Sequence, residues 1–405
     1  MSLKPRPKYL ARLLAFKDTE FIKVLVGMRR CGKSSILSLF AEHLIGGGVP
    51  HDHVIEINFE AAEYLDVDDG KALIHIIEDR ISSAQPKGER FYLLLDEVQL
   101  VTHWERAINA LRLRDDVDIY LTGSNAYMLS SQLATLLSGR YVEIDVYPLT
   151  FNEFVSFVDS DETHQNLFAR YMTYGGLPPV VEQGADQLLA KTILSGIYDT
   201  VFVKDIAQHV QVRNQPVFSD IARYLSDTSG SKVSISNMEK RLANAHRKTA
   251  NETIERYIQA LIDAFLFYRA RRVDLKGGRI LQGLDKYYPS DQGIRNMLLG
   301  FPKRDYGFAL EGIVHNELIA RGYDVHVGKL DSVEVDFVAT LESETVCVQV
   351  CASLLNEETW TREMESLRRL PSEYGKKLVL TADTIGLGDD NGIRVANIID
   401  WLLAE

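Results

Sequence analysis

Cysteine is scarce in this 405-residue chain, with three residues only, Cys31, Cys347 and Cys351. Cys31 lies inside a glycine-bearing loop, and the other two have no histidine pair nearby. This excludes a disulfide framework and a zinc-type ligand pattern, and it fits a reducing compartment. No apolar run is long enough for a transmembrane helix, so no membrane partner is expected. The N-terminal stretch MSLKPRPKYLARLLAF is basic and then mildly apolar. It lacks the continuous apolar core and small-residue cleavage site of a secretory signal, so the expected location is cytoplasmic. Excess positive charge is also missing: 45 Lys and Arg face 57 Asp and Glu, a net charge of −12. Nucleic-acid binding would have to rest on local basic runs, such as 269–272 and 362–369. The plainer reading of each run is a solvated helix face or strand end. Internal repeats and low-complexity segments are absent too.

What is present is an ordinary globular composition, 46% hydrophobic and 25% charged, in a chain long enough for about two to four domains. From residue 20 strands and helices alternate. FIKVLV (21–26) is a short β-branched run, and SSILSLFAEHLI follows with apolar residues at helical spacing, ending at glycines 46–48. HVIEINF (53–59), FYLLL (91–95), VDIYLT (117–122) and YVEIDV (141–146) read as further strands. KALIHIIEDRI (71–81), closed by a turn at 86–88, WERAINALRL (104–113) and AYMLSSQLATLL read as helices. The alternation predicts a parallel sheet covered on both faces.

Gly27-Met28-Arg29-Arg30-Cys31-Gly32-Lys33-Ser34 matches G-x-x-x-x-G-K-[ST] without a gap. It leaves a strand and opens a helix, the context this phosphate-binding motif requires. Glycines let backbone N–H groups turn toward the outer phosphates of ATP, and the helix start adds unpaired donors and its dipole. Lys33 would reach those phosphates, the Ser34 hydroxyl would ligate Mg²⁺, and Ser35, next in the first turn, is expected to bind the nucleotide with the rest of the loop. Asp96 and Glu97 end an apolar strand, the place for a second acidic motif. Asp96 is expected to hold Mg²⁺ through water and Glu97 to act as general base. One strand-and-helix unit separates the two motifs, so the acidic strand need not neighbour the loop strand.

Thr122 and Ser124 close the fourth strand, where a polar group could sense phosphate or orient water; plain turn chemistry explains them equally well. Arg140 is open between an arginine finger, from its own chain or a neighbouring subunit, and a surface arginine. Arg29 and Arg30 could touch phosphate or another domain, and the residues do not choose between these.

From about 150 to 230 the pattern turns helical, broken at 175–179. Residues 232–290 then read helix, turn, helix, strand, turn, strand, the order of a winged helix. ETIERYIQALIDAF followed by Arg269, Arg271 and Arg272 could present a helix and basic wing to DNA, with Lys248, Arg256 and Tyr257 adding reach. The apolar content of that helix fits packing against a partner as well. Residues 305–405 form another α/β segment. The expected organisation is an ATPase domain (1–150), a helical linker (151–215), a winged-helix-like domain (216–300) and a C-terminal domain (301–405).

Taken together, VGMRRCGKSS, YLLLDEVQLVTHWERAINALR, LTGSNAYMLS, LSGRYVEIDVYPLTFNEF, YGGLPPVV, DKYYPSDQGIRN and LEGIVHNELIARGYDVHVGKLDSVEVDFVA resemble a known family. It comprises bacterial and archaeal AAA-type, additional-strand P-loop ATPases with a C-terminal domain of unknown function. The resemblance implies an α/β fold: a P-loop parallel sheet, a helical and winged-helix middle, and a small restriction-endonuclease-like domain. In such a nuclease, acids surround a divalent metal and a lysine activates water. Glu311 and Asp336 match the first two positions, but the third reads Gln349-Val350-Cys351, where a lysine is usual. The expectation is therefore a binding or scaffolding domain rather than an active nuclease. Glu334 is expected to face away from Asp336. For the whole chain the expectations are ATP hydrolysis with Mg²⁺, DNA or a protein as partner, and possible self-association.

Overall fold

A buried β-branched run, Ile22–Val26, forms β1 and ends at the phosphate loop, which opens α2, Lys33–Gly46. Before it, α1 (Pro7–Ala15) starts with Pro at its first position, where a missing N–H costs nothing. The unit continues with β2 (Val54–Asn58), α3 (Gly70–Ser83), β3 (Phe91–Asp96), α4 (Trp104–Leu111), β4 (Val117–Gly123) and β5 (Tyr141–Asp145). Asp69 caps α3, accepting from the Lys71 and Ala72 N–H groups at 2.9 Å each. The computed structural model describes residues 3–85, 90–125, 139–184, 186–302, 306–371 and 374–404. The expected helix AYMLSSQLATLL and turn at 86–88 lie outside the described residues.

The chain divides into two units, Met1–Tyr147 with Asp263–Phe265, and Pro148–Ile262 with Leu266–Glu405. In the first, five strands pair in the order β2-β3-β4-β1-β5, every neighbour parallel. The acidic strand β3 is thus separated from the loop strand β1 by β4, which comes later in sequence. One apolar cluster, including Val24, Leu93, Leu95, Ile119, Leu121 and Trp104, fills a face of this sheet.

The second unit begins with helices α5 (Phe151–Val158), α6 (His164–Tyr174), α7 (Pro178–Val181), α8 (Gln187–Thr200), α9 (Gln215–Asp227), α10 (Ile235–Asn244) and α11 (Asn251–Asp263). The hairpin of β6 (Phe267–Asp274) and β7 (Arg279–Pro289) follows, then α12 (Gln292–Leu299) and α13 (Tyr306–Ala320). Next come β8 (Asp324–Leu330), β9 (Val333–Leu341), β10 (Glu344–Cys351) and α14 (Glu357–Arg368). Strands β11 (Lys376–Thr381), β12 (Gly388–Asp390) and β13 (Ile393–Asn397) precede α15, Ile398–Leu403. Its sheet is mixed and has eight strands in the order β12-β13-β11-β10-β9-β8-β6-β7.

The order expected for a winged helix is therefore present, but the hairpin is no free wing. Strand β6 pairs in parallel with β8, Arg272 opposite Val327. Ala270 and Tyr288 share one core with Leu310, Val314, Val327 and Phe337. The boundary expected between 300 and 301 thus runs through a single sheet and core. Backbone pairing and a common apolar face outweigh the local pattern that suggested a separate module.

YGGLP and YPSDQGIRN meet in one joint. Buried Asp291 caps α12 through the Ile294 N–H (3.1 Å) and accepts from the Gly176 N–H (2.7 Å). A Cβ at Gly293 would lie 2.1 Å from the Tyr174 carbonyl oxygen, which reserves that position for glycine. Burial pushes the Asp291 carboxyl up to about 6 despite its backbone donors. These motifs are architectural.

Candidate nucleotide site and a second ionic cluster

The phosphate loop is shaped by two glycines and held from below. Gly27 has φ +150°, and a Cβ there would lie 2.1 Å from the Val146 carbonyl oxygen. Gly32, at φ +104°, caps α2 without any side-chain bond, so the first helical N–H groups face an incoming anion. Met28, Arg29, Cys31 and Lys33 are buried, whereas Arg30, Ser34 and Ser35 are exposed. Lys33 Nζ donates to the carbonyls of Gly27 (2.8 Å) and Met28 (3.0 Å). The Cys31 thiol donates to the Val146 carbonyl at 3.2 Å.

Sequence reading passed over Arg6, although it is buried. Its guanidinium donates to the carbonyls of Cys31 (3.0 Å) and Tyr147 (3.1 Å) and lies 4.4 Å from the Tyr9 ring centroid. The residue that precedes α1 thereby fastens the loop backbone to Tyr147, two residues past β5. The signal available in sequence was a lone arginine before a proline, which carries no pattern of its own.

Strand order brings the acidic pair to the loop. Thr122, on the strand between, donates its hydroxyl to Asp96 Oδ1 and accepts from the Glu97 N–H at 3.0 Å. Glu97 has φ +55°, left-handed and uncommon for a side chain of its size. Gln99 donates to Glu97 Oε2, and an Arg29 Nη2 lies 3.8 Å from the same oxygen. Arg29 also bonds the Ser124 hydroxyl and Glu60, at 3.3 Å each. Burial raises the Glu97 carboxyl above its ordinary value, with Lys33 and Arg29 pulling the other way. Lys33, Asp96, Glu97, Thr122 and Ser124 are thus gathered at the C-terminal ends of the inner strands β1, β4 and β3.

Arg140 is not with them. It immediately precedes Tyr141, which pairs with Ile22, whereas the loop leaves β1 after Val26. Five steps of strand, about 17 Å, separate it from Val26, after which the loop begins. Of the alternatives open for Arg140, the register speaks against a finger in its own chain: it sits exposed at the opposite, N-terminal end of the strands.

A second ionic cluster lies wholly in the second unit. Lys286 of β7 is buried, with its ammonium 2.9 Å from Glu311, 3.2 Å from Glu334 and 3.7 Å from Asp336. Tyr288 donates to Glu311 at 2.7 Å. Gln349 accepts from the Asp336 N–H and donates to Glu363, at 2.6 Å each. A cavity of about 1,100 Å³ opens here, lined by Glu311, Glu334, Asp336, Gln349, Glu363 and Arg362 among others. Burial and the Glu311 charge push the Asp336 carboxyl up, while the neighbouring carboxylates hold Lys286 charged against its burial. The expectation that Glu334 turns away from Asp336 is corrected: residues two apart on a strand share a face. The ammonium missing at Cys351 arrives from Lys286, 65 positions upstream, which local motif spacing could not reveal. Among the described residues no group of three or more acidic, histidine or cysteine side chains is arranged to hold a metal ion; here an ammonium fills the centre.

Of the arginines proposed for a basic face, Arg269 and Arg271 are exposed and Arg272 is buried. Arg272 is therefore no part of an exposed basic face, and Tyr257, expected to add reach, is buried as well. No described helix is long and apolar enough to cross a membrane.

Strand order and loop define the first unit as an AAA-type P-loop ATPase domain. Residues 19–155 match the AAA domain family, and 165–305 match a domain of unknown function. The latter covers α6 to α12 and the β6–β7 hairpin. The chain belongs to the same family as an uncharacterized protein of Haemophilus influenzae, 40% identical over 401 residues and 98% of each chain. An uncharacterized protein of Methanocaldococcus jannaschii is 29% identical over 371 residues, 86% of this chain and 78% of the relative. Among solved structures, the Walker-type ATPase of Pyrococcus abyssi is similar in fold. Its TM-score is 0.50 at 16% identity, over 73% of this chain and 95% of that one.

Proposed function

We propose that the first unit binds ATP with Mg²⁺ and hydrolyses it, and that turnover is coupled to rearrangement of the chain on DNA. The observation that supports this most is Thr122, which ties Asp96 to the Glu97 backbone on the strand next to the loop strand. Lys33 holds the outer phosphates. The Ser34 hydroxyl and Asp96 carboxylate offer the hard oxygen donors that Mg²⁺ takes, and the ion would neutralise phosphate charge. Glu97 accepts the proton of the attacking water as oxygen bonds to the γ-phosphorus. The β–γ bridging bond breaks, and its electron pair leaves with ADP.

Association with DNA rests on Arg269 and Arg271, with exposed Lys276 and Arg279 at the hairpin turn. Steady-state turnover with duplex, single-stranded and branched DNA, at two salt concentrations, tests it. Salt-sensitive stimulation is expected. Turnover indifferent to every DNA would favour a regulatory ATPase acting on a protein partner.

A second reading is favoured by Lys286: phosphodiester cleavage in the second unit. Glu311, Asp336 and Gln349 would offer oxygen donors to a divalent cation once the Lys286 ammonium that now sits between Glu311 and Asp336 is displaced, and Lys286 would then supply the ammonium such sites use on water. The expected result is nicking of plasmid DNA with Mn²⁺, lost in Asp336→Asn and in Lys286→Met. Equal nicking by wild type and both variants would reject it.

A further inference from the structure

We infer that Arg29, inside the phosphate loop, is the cation that stabilises phosphoryl transfer in this chain's own site, so that no second subunit need supply one. The inference rests on the ATPase reading of that site.

Three observations converge. Arg29 is buried although charged, with its guanidinium between the end of β4 and the acidic pair, on Ser124, Glu60 and Glu97. A general base for hydrolysis stands one water molecule from the γ-phosphorus. A guanidinium 3.8 Å from that base is therefore within reach of the γ-phosphate oxygens by rotation of its own side chain. Its neighbour Arg30 is exposed, and Arg140 lies at the far end of the strands. Among these three arginines, only Arg29 is positioned for the reaction.

The contacts also give Arg29 a resting place. It is shared by two carboxylates, Glu60 and Glu97, and there it opposes the action of Glu97 as a base. A γ-phosphate carries more charge than either carboxylate and accepts a guanidinium in bidentate fashion. Arrival of ATP draws Arg29 from Glu97 to phosphate, freeing the base and placing the cation in one movement. ADP offers no γ-phosphate and leaves the pair closed.

The test compares kcat, KM and ATP affinity of the full chain with those of Arg29→Ala, Arg29→Lys and Arg140→Ala. Glu97→Gln and Lys33→Ala serve as controls. Loss of an arginine finger costs about 10³-fold or more in kcat. Arg29→Ala is expected to lose that much while ATP affinity changes less than about tenfold. Arg29→Lys, which keeps charge but not the fork, should recover a small part. Arg140→Ala should turn over like wild type, with specific activity independent of protein concentration. If Arg29→Ala or Arg29→Lys binds ATP and keeps wild-type kcat, the inference falls. It falls equally if mixing Arg29→Ala with Glu97→Gln chains restores turnover, since the arginine would then act across subunits. A Glu97→Gln control as active as wild type would remove the ATPase reading itself, and the inference with it.

Discussion

Lys33→Ala is expected to lower ATP affinity by roughly a hundredfold or more while leaving the fold intact. The ammonium is buried and rests on two loop carbonyls, those of Gly27 and Met28. These are weak partners for a charge, and phosphate oxygens are stronger ones. A charge-assisted bond contributes about 1.5–3 kcal/mol, and two such bonds to phosphate amount to roughly 10²- to 10⁴-fold in affinity. The loop's shape does not depend on this side chain. It is set by Gly27 and Gly32, by the Cys31 thiol on the Val146 carbonyl, and by the Arg6 guanidinium beneath Cys31. The melting temperature of the unliganded variant should therefore stay close to wild type, while the shift on adding a non-hydrolysable ATP analogue disappears. Titration calorimetry with the same analogue measures the affinity directly. Binding within about threefold of wild type would remove Lys33 from the site.

What sequence revealed, and what it hid, follows the range of the interactions. The phosphate loop and acidic pair were legible because each is a contiguous motif whose chemistry is fixed by adjacent residues, and hydrophobic periodicity fixed the strands around them. That β3 need not neighbour β1 was legible from the unit separating the motifs, but that β4 fills the gap was not. By contrast, Arg6 meets Cys31 across 25 positions and Tyr147 across 141. No local pattern records a contact of that kind. The second ionic cluster failed to be read for the same reason: its lysine sits on β7, whereas the motif places one on β10. The winged helix shows the converse limit. Its local order was read correctly, but pairing of β6 with β8 is a long-range fact that assigns the hairpin to the larger sheet. Arg140 was a candidate because it follows Ser138–Gly139 and starts the fifth strand. Only register tells that this end of the strand lies away from the loop.

Glu97→Gln should separate binding from chemistry. Glutamine keeps the size of the side chain and can still face Arg29 and Gln99, so ATP binding is expected to remain near wild type. It cannot take a proton from water, and removal of a general base costs roughly 10²- to 10⁴-fold in rate. The acid limb of the profile gives a second, independent readout. Burial raises the Glu97 carboxyl above the ordinary 4.5, with Lys33 and Arg29 only partly opposing it. The base works deprotonated, so turnover should fall as pH drops through a value above that of a free glutamate. The limb should be missing from whatever residual rate Glu97→Gln retains. Single-turnover measurements across pH 4–8, with saturating ATP and Mg²⁺, separate this limb from any loss of nucleotide binding. A variant that turns over at the wild-type rate, or keeps the wild-type acid limb, would move the general base elsewhere. Asp96 would then be the nearest alternative, held through its carboxylate by Thr122.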